Sequence, residues 1–339
     1  MPHTPSPRPV ALITGITGQD GSYLAELLLA NGYEVHGLVR RAGRVQESAL
    51  ALLAANPEVL GKRLFFHYGD LADRCLWPAI FQEVQPDEVY HLGGQSHVGR
   101  SFEIPEPTAE EVAMASLRLL ECLRESGSHA RIYLAASSEI FGAATESPQT
   151  EETRFRPTSP YGCAKAFMLH MARVYRESYG VFVCNGILYN HESPRRGAAF
   201  VTRKITRAAA AIKLGLQAKL VLGNIESRRD WGHARDYVRA MWMMLRHSQP
   251  DDYIVATGVT RSVRDFVEAA FNEVGLPWRD YVECDSALER VLEPTQLVGN
   301  PAKIRSALGW TARHSFQDLV SEMVAADMQA LARENSLNC

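Results

Sequence analysis

A doubly wound, mostly parallel α/β sheet with a smaller C-terminal α/β substrate domain is the fold predicted for this 339-residue chain, on three observations. Short apolar runs alternate with helical patterns between residues 9 and 188, which is the rhythm of successive βαβ units. A glycine-rich loop, Gly15-Ile16-Thr17-Gly18-Gln19-Asp20-Gly21, stands between the first apolar run and the first helical pattern. Beyond residue 188 the composition turns polar and cationic, which marks the start of a second unit. The expected division is a Rossmann-type nucleotide domain over 9–188 with a returning segment at about 230–262, and a substrate domain assembled from 189–229 and 263–335.

Residues 9–14 (PVALIT) read as a buried strand, and a helix follows over 22–30. The glycines between them permit a tight turn and let the backbone approach a pyrophosphate at the helix amino terminus. Residues 33–39 form the second strand, with Arg40-Arg41 at its end. An acidic residue there would bond the ribose hydroxyls of NAD, whereas arginine suits a 2′-phosphate, so NADP is the cofactor expected. The third strand, 63–67, exits into Asp70-Leu71, where the aspartate can accept from an adenine amino group or merely cap a turn. The fourth, 88–92, leads into Gly93-Gly94-Gln95-Ser96-His97. Its paired glycines suggest backbone packed against cofactor, and His97, between small and apolar neighbours, reads as structural. A helix over 110–126 precedes the central strand, 131–136.

That strand ends in Ser137-Ser138-Glu139, at the carboxyl edge where open α/β sheets place their ligand crevice. Ser159 and Pro160 resemble a cap and first-turn pair, so a helix begins near Tyr161 and sets Tyr161 and Lys165 one turn apart on one face. An ammonium near a phenol favours the phenolate, typically by about one to three units from the reference of ~10. Tyr161 is therefore expected to act as a general base near neutral pH. A YxxxK pair alone can equally be a surface contact; Ser137, Glu139 and the nucleotide loop turn the balance toward chemistry.

After a strand over 181–188 come Arg195, Arg196, Arg203 and Lys204. Four cations within ten residues suit a clamp for a substrate's phosphates, with a solvated charge run as the rival reading. A helix over 201–215, a strand at 219–222, a helix at 237–247, a strand at 253–257 and a capped helix start at Ser262 follow. Trp231 and His233 are left open between core and site. Arg290 and Glu293 fall on a loop, and a last helix begins at about 315.

The formal charge of −3 argues against nucleic acid or a membrane surface as partner. No apolar run approaches ~18 residues and the head is polar and Pro-rich, so neither a membrane span nor a secretory signal is expected. Six cysteines without framework or metal spacing read as reduced thiols of a cytoplasmic protein, and no metal is expected.

Three stretches are more specific: ALITGITGQDGSYLAE from Ala11, LYNHESPRRGAAFVTRK from Leu188 and RDWGHARDYV from Arg229. They resemble the extended short-chain dehydrogenase/reductase family and, within it, the GDP-mannose 4,6-dehydratases, over Ala11 to about Trp310. The resemblance implies catalysis by Ser137, Glu139, Tyr161 and Lys165. It implies NADP contacts at Gly15, Ile16, Thr17, Gly18, Gln19, Asp20, Arg40, Asp70, Leu71, Leu92, Gly93, Gly94, Gln95, Ser96, Lys165, His191 and Arg196. Nucleotide-sugar contacts would include Ser96, Asn190, Val201, Lys204, Arg229, Arg290 and Glu293. It further implies a redox-neutral conversion of GDP-mannose to GDP-4-keto-6-deoxymannose and water, in a homodimer or homotetramer. Several positions depart from the family pattern: Ser137 replaces threonine, Pro107 a cofactor-contacting tyrosine and Glu110 an aspartate, the 42–47 loop lacks the serine-rich pattern, and RVLEPT surrounds Arg290 and Glu293. Alternatives are a 4,6-dehydratase of a related sugar such as GDP-manno-heptose, a nucleotide-sugar reductase or epimerase, and, more distantly, a non-catalytic NADP-binding protein. An epimerase has no need of Glu139 beside C5.

Overall fold

A computed structural model of the chain describes residues 8–40, 43, 45–288 and 296–337. Its centre is a seven-stranded sheet formed by β1 (Val10–Thr14), β2 (Glu34–Val39), β3 (Leu64–Tyr68), β4 (Glu88–His91), β5 (Arg131–Ser137), β6 (Val183–Leu188) and a later strand, Asp252–Val255. All neighbours are parallel, in the spatial order β3-β2-β1-β4-β5-β6 followed by Asp252–Val255. The strand order reverses between β1 and β4, and a crevice opens at their carboxyl ends. β1, β4 and β6 are buried along their whole length, because helices cover both faces; Glu88, His91 and Asn185, the polar residues this buries, bond Tyr90, Thr14 and Asp252. On one face Trp77, Leu119, Leu120, Met168 and Leu169 close the core. On the other, Leu24 and Leu28 of the Gln19–Ala30 helix meet Tyr237, Met241 and Met244 of the Ala234–Arg246 helix.

The second lobe has its own core, where Ile205, Ile212, Phe266, Phe271, Val320 and Met323 converge. Its sheet is built around Arg228–His233, which pairs with Asn190–Glu192, Thr260–Ser262 and Gln296–Leu297. Trp231, left open by the sequence, is a core residue here, edge-on to Phe266. The helix after Ser262 starts on a full capping box with Asp265. Packing does not divide at residue 263: Ile304 and Trp310 return to the nucleotide half, where Trp310 Nε1 donates to the Asp236 carbonyl at 2.9 Å.

One helix lies where the sequence reading places no element, and another departs from its expected bounds. Leu76–Val84 is helical although it contains Pro78, because the proline falls in the first turn, where no intrahelical donor is lost. The helix expected over 110–126 starts at Pro105 and carries a wider π-helical turn at Glu110–Met114, where Val112 and Ala113 pack on Ala164. Outside the crevice, the buried Asp252 carboxylate ties three elements together by accepting from Arg173 at 2.6 Å, Arg176 at 3.0 Å and Asn185 at 2.6 Å. No described helix is long and apolar enough to cross a membrane.

Candidate active site

A cleft of about 830 Å³ runs from the carboxyl ends of β1, β4 and β5 into the second lobe. At its floor the two glycine loops of the switch point touch. Gly15 has φ +68°, and a Cβ there would lie 2.9 Å from Gly93 Cα, so no side chain fits. Thr14 Oγ1 accepts from Leu92 N at 3.1 Å and Gly93 N at 2.9 Å and bonds His91 Nδ1 at 2.9 Å. Burial and the nearby Lys165 charge push His91 down to about 3, so it braces this corner as a neutral imidazole. Nothing in the sequence singles out His91, a strand residue in an apolar run.

Most residues predicted for the cofactor line the cleft: Gly15, Thr17, Gly18, Gln19, Asp20, Arg40, Leu71, Leu92 through Ser96, Lys165, His191 and Arg196. Two do not. Ile16 is fully buried and packs its side chain on Gly37, supporting the loop from beneath. Asp70 is exposed and accepts from Ala72 N at 2.9 Å, which is the turn-capping alternative. Arg40 reaches across to Glu111 Oε2 at 2.7 Å. The substituted Pro107 is exposed and is not among the residues of the cleft wall, and Glu110 pairs instead with Arg118.

On the sugar side Ser96, Asn190, Val201, Lys204 and Arg229 line the cleft, whereas Arg290 and Glu293 lie outside the described residues. The clamp of four cations is reduced to two. Arg195 turns away to pair with Glu26 and to stack over Tyr23 at 3.9 Å, and Arg203 pairs with the buried Asp327 at 2.7 Å. Arg196 and Lys204 remain in the cleft wall; Lys204 Nζ donates to the Val221 carbonyl at 2.7 Å. Arg196 lies over the Phe200 ring at 3.6 Å with its Nε 3.0 Å from the buried Glu192 carboxylate, which also accepts from Thr202 Oγ1 at 2.7 Å. Glu192 and Phe200 are cleft residues that the sequence reading passes over, since their roles arise from contacts across a turn.

Ser137, Glu139, Tyr161 and Lys165 meet in one corner of the cleft. Ser159 Oγ accepts from Gly162 N at 3.0 Å and Pro160 opens the helix, so Tyr161 sits in its first turn. Gly162 lets that turn press on the preceding strand's exit: a Cβ would come 2.7 Å from the Glu139 carbonyl. Lys165 Nζ donates to the Ala135 carbonyl at 2.6 Å and is 5.7 Å from the Tyr161 ring centre. The expected fall in the Tyr161 pKa is not found in the protein alone. Burial pushes Tyr161 up to about 12; the hydrogen bond with Ser137 works against this and the Glu139 charge adds to it. Burial likewise brings Lys165 down to about 8. Helical spacing put the two groups on one face, and desolvation decided their charge.

A second acid-base pair stands at the nucleotide loop. His191 Nε2 is 2.7 Å from Asp20 Oδ2, and His191 Nδ1 donates to the Tyr189 carbonyl at 2.8 Å. Gln19 Nε2 bridges Asp20 Oδ1 and the His191 carbonyl, each at 3.1 Å.

A glycine loop at the switch point of a parallel sheet, with a serine, tyrosine and lysine gathered at the end of its central strand, defines the short-chain dehydrogenase/reductase class. Solved structures agree on the fold. A dTDP-glucose 4,6-dehydratase of Streptomyces venezuelae with NAD and TYD bound superposes with a TM-score of 0.82 at 25% identity, covering 96% of this chain and 97% of the other. RMD of Pseudomonas aeruginosa, complexed with NADPH, gives 0.80 at 22% identity, covering 95% and 99%. Within that class, the chain belongs to the GDP-mannose 4,6 dehydratase family, whose sequence model matches residues 12–323. It is 50% identical over 336 residues to GDP-mannose 4,6 dehydratase 1 of Arabidopsis thaliana, covering 98% of this chain and 93% of the relative. It is 46% identical over 352 residues to GDP-mannose 4,6-dehydratase of Vibrio cholerae, covering 95% of each.

Proposed function

We propose that the protein is an NADP-dependent GDP-mannose 4,6-dehydratase, a hydro-lyase that converts GDP-mannose to GDP-4-keto-6-deoxymannose and water. The observation that carries this reading is Glu139 in the same corner as Ser137 and Tyr161: oxidation at C4 needs a phenol and a hydroxyl, whereas elimination across C5 and C6 also needs a carboxylate. The switch-point cradle, with no room for a Cβ at Gly15, suits a dinucleotide, and Arg40 at the end of β2 suits its 2′-phosphate. Gly15, Thr17, Gly18, Gln19 and Arg40 would hold it.

Bound NADP would supply a hydride acceptor for C4 and, once reduced, a hydride donor for C6. Tyr161, kept protonated by burial, would give up its proton more readily beside the positive charge of the oxidised cofactor. Tyr161 takes the proton of the C4 hydroxyl, and Ser137 donates to the same oxygen. The resulting ketone acidifies the C5 hydrogen. Glu139 removes that proton as the C6 hydroxyl leaves with a proton to form water, and C5 is reprotonated at the end. Lys165, anchored on Ala135, keeps the helix turn and the strand in register. The positive side chains of Arg196 and Lys204 in the cleft wall suit the nucleotide's phosphates.

A homo-oligomer fits the outer face of the Pro160–Tyr179 helix. There Cys163, Phe167, His170 and Val174 follow helical spacing, with Phe167 39% and Val174 45% exposed. The described cysteines are free thiols, in keeping with a reducing compartment such as the cytoplasm.

The test is incubation of the purified protein with GDP-mannose and no added reductant, followed by mass spectrometry. Repeated turnover with loss of one water supports the reading. Loss of water from a GDP-heptose but not from GDP-mannose moves the substrate, and no loss from either overturns the assignment.

A further inference from the structure

The chemistry above makes no use of the Asp20–His191 pair. Asp20 is the second residue of the Gln19–Ala30 helix, the place where orphan N–H groups and the helix dipole would receive a pyrophosphate. A carboxylate there repels the anion that the loop is shaped to bind.

His191 answers that charge. The Tyr189 carbonyl can only accept, so His191 Nδ1 carries a hydrogen, and Nε2 faces a carboxylate oxygen at 2.7 Å; the second hydrogen belongs on Nε2, and the ring is an imidazolium. Its plane is fixed by stacking on Tyr237, with ring centres 4.4 Å apart and an angle of 20°. Burial works against the charge on His191, but the Asp20 carboxylate and its hydrogen bond hold the imidazole above its usual range. Burial works against the charge on Asp20 as well; His191, Gln19 and Arg196 nonetheless hold its carboxyl below the usual range. Among the described residues, the other charged or titratable groups around the pair are Arg196 of the following turn with its partner Glu192, Tyr161 from the catalytic helix, Tyr133 from β5 and Tyr237 stacked on His191.

We propose that His191 is the compensating cation of the cofactor site, cancelling the Asp20 carboxylate so that the helix amino terminus can take a dianionic pyrophosphate. The inference rests on the dinucleotide reading given above. Asp20, in turn, fastens the nucleotide loop to Asn190–Glu192, the strand that carries the sugar-side wall, with Ser193 Oγ on Gln19 Oε1 at 2.8 Å as a second fastening.

The test is the affinity for NADP⁺, read by quenching of tryptophan fluorescence between pH 6 and pH 10 (roughly the span over which a raised histidine titrates), on the full-length wild type and three variants. Wild type should lose affinity as pH rises through the elevated His191 pKa. His191→Gln, which keeps a hydrogen bond without the charge, should bind about tenfold more weakly at neutral pH and keep only the part of the alkaline decline that comes from Lys165 in the same cleft. Adding Asp20→Asn to it should recover most of the loss. Asp20→Asn alone should move the alkaline decline down by about one pH unit, because the histidine no longer faces a carboxylate. His191→Gln binding within twofold of wild type with the same pH profile would overturn the proposal, as would a double variant no tighter than His191→Gln, which would make His191 a packing residue only. Should His191→Gln fail to fold, the Asp20→Asn profile decides: an unmoved decline overturns the proposal. A wild type that does not bind NADP⁺ at any pH instead overturns the cofactor reading itself.

Discussion

Two acid-base pairs share one cleft, and burial acts on them in opposite ways. In the catalytic corner, Tyr161 and Lys165 are close along one helix, yet the lysine gives its ammonium to the Ala135 carbonyl and burial drives both groups toward their neutral forms. In the nucleotide-loop corner, Asp20 and His191 come from distant parts of the chain, touch at 2.7 Å, and burial fails to discharge them. A direct contact with both partners' remaining polar atoms satisfied outweighs desolvation; a separation of more than 5 Å through the ring does not. The catalytic pair is thus poised to change protonation, and the loop pair is built to keep it.

Variants can break or sharpen that contrast. Tyr161→Phe should give the largest effect, a fall in turnover of about 10⁴-fold, the upper end of what a positioned acid-base group contributes, with NADP⁺ affinity unchanged in the fluorescence titration. A buried charge cluster outside the cleft serves as the control: Asp252→Ala strands Arg173 and Arg176 and should cost about 3–5 kcal/mol of unfolding free energy in urea, while folded molecules keep their kcat. Glu139→Gln should lower turnover by roughly 10²- to 10³-fold. C4 oxidation should persist, seen as a rise in absorbance of reduced cofactor, and exchange of the C5 hydrogen with heavy water should stop.

Lys165→Met tests the catalytic pair most directly. Lys165 titrates near 8 in the folded protein against 10.5 for the free side chain. Below pH 8 it is charged in both states and the burial penalty is fully present; between those values the unfolded chain binds more protons, so stability rises with pH. Lys165→Met should therefore raise stability at pH 7, by up to roughly 3 kcal/mol from the size of that shift, lose the rise between pH 8 and 10.5, and abolish turnover. Thermal melts across that range check it.

The parts of this architecture that were legible in the sequence are those written locally. The Gly15-to-Gly21 loop, the Ser159-Pro160 start of the catalytic helix and the apolar run of β1 each announce their own geometry. Contacts made in three dimensions were not legible. Nothing in spacing shows that Arg195 and Arg203 are taken by Glu26 and Asp327, or that Ile16 faces Gly37. Gly162 belongs to the same group: its glycine is required by the Glu139 carbonyl 2.7 Å from where a Cβ would stand, and that neighbour is supplied by another element.

On the proposed mechanism one cleft carries out oxidation, elimination and reduction on one sugar. Its most direct test is turnover of GDP-mannose deuterated at C4, with the product analysed by NMR. Deuterium is expected in the C6 methyl group of the 4-keto product, transferred within the same molecule and undiluted by added unlabelled NADPH. Deuterium retained at C4, or released to free cofactor and replaced by hydrogen from the medium, would contradict it.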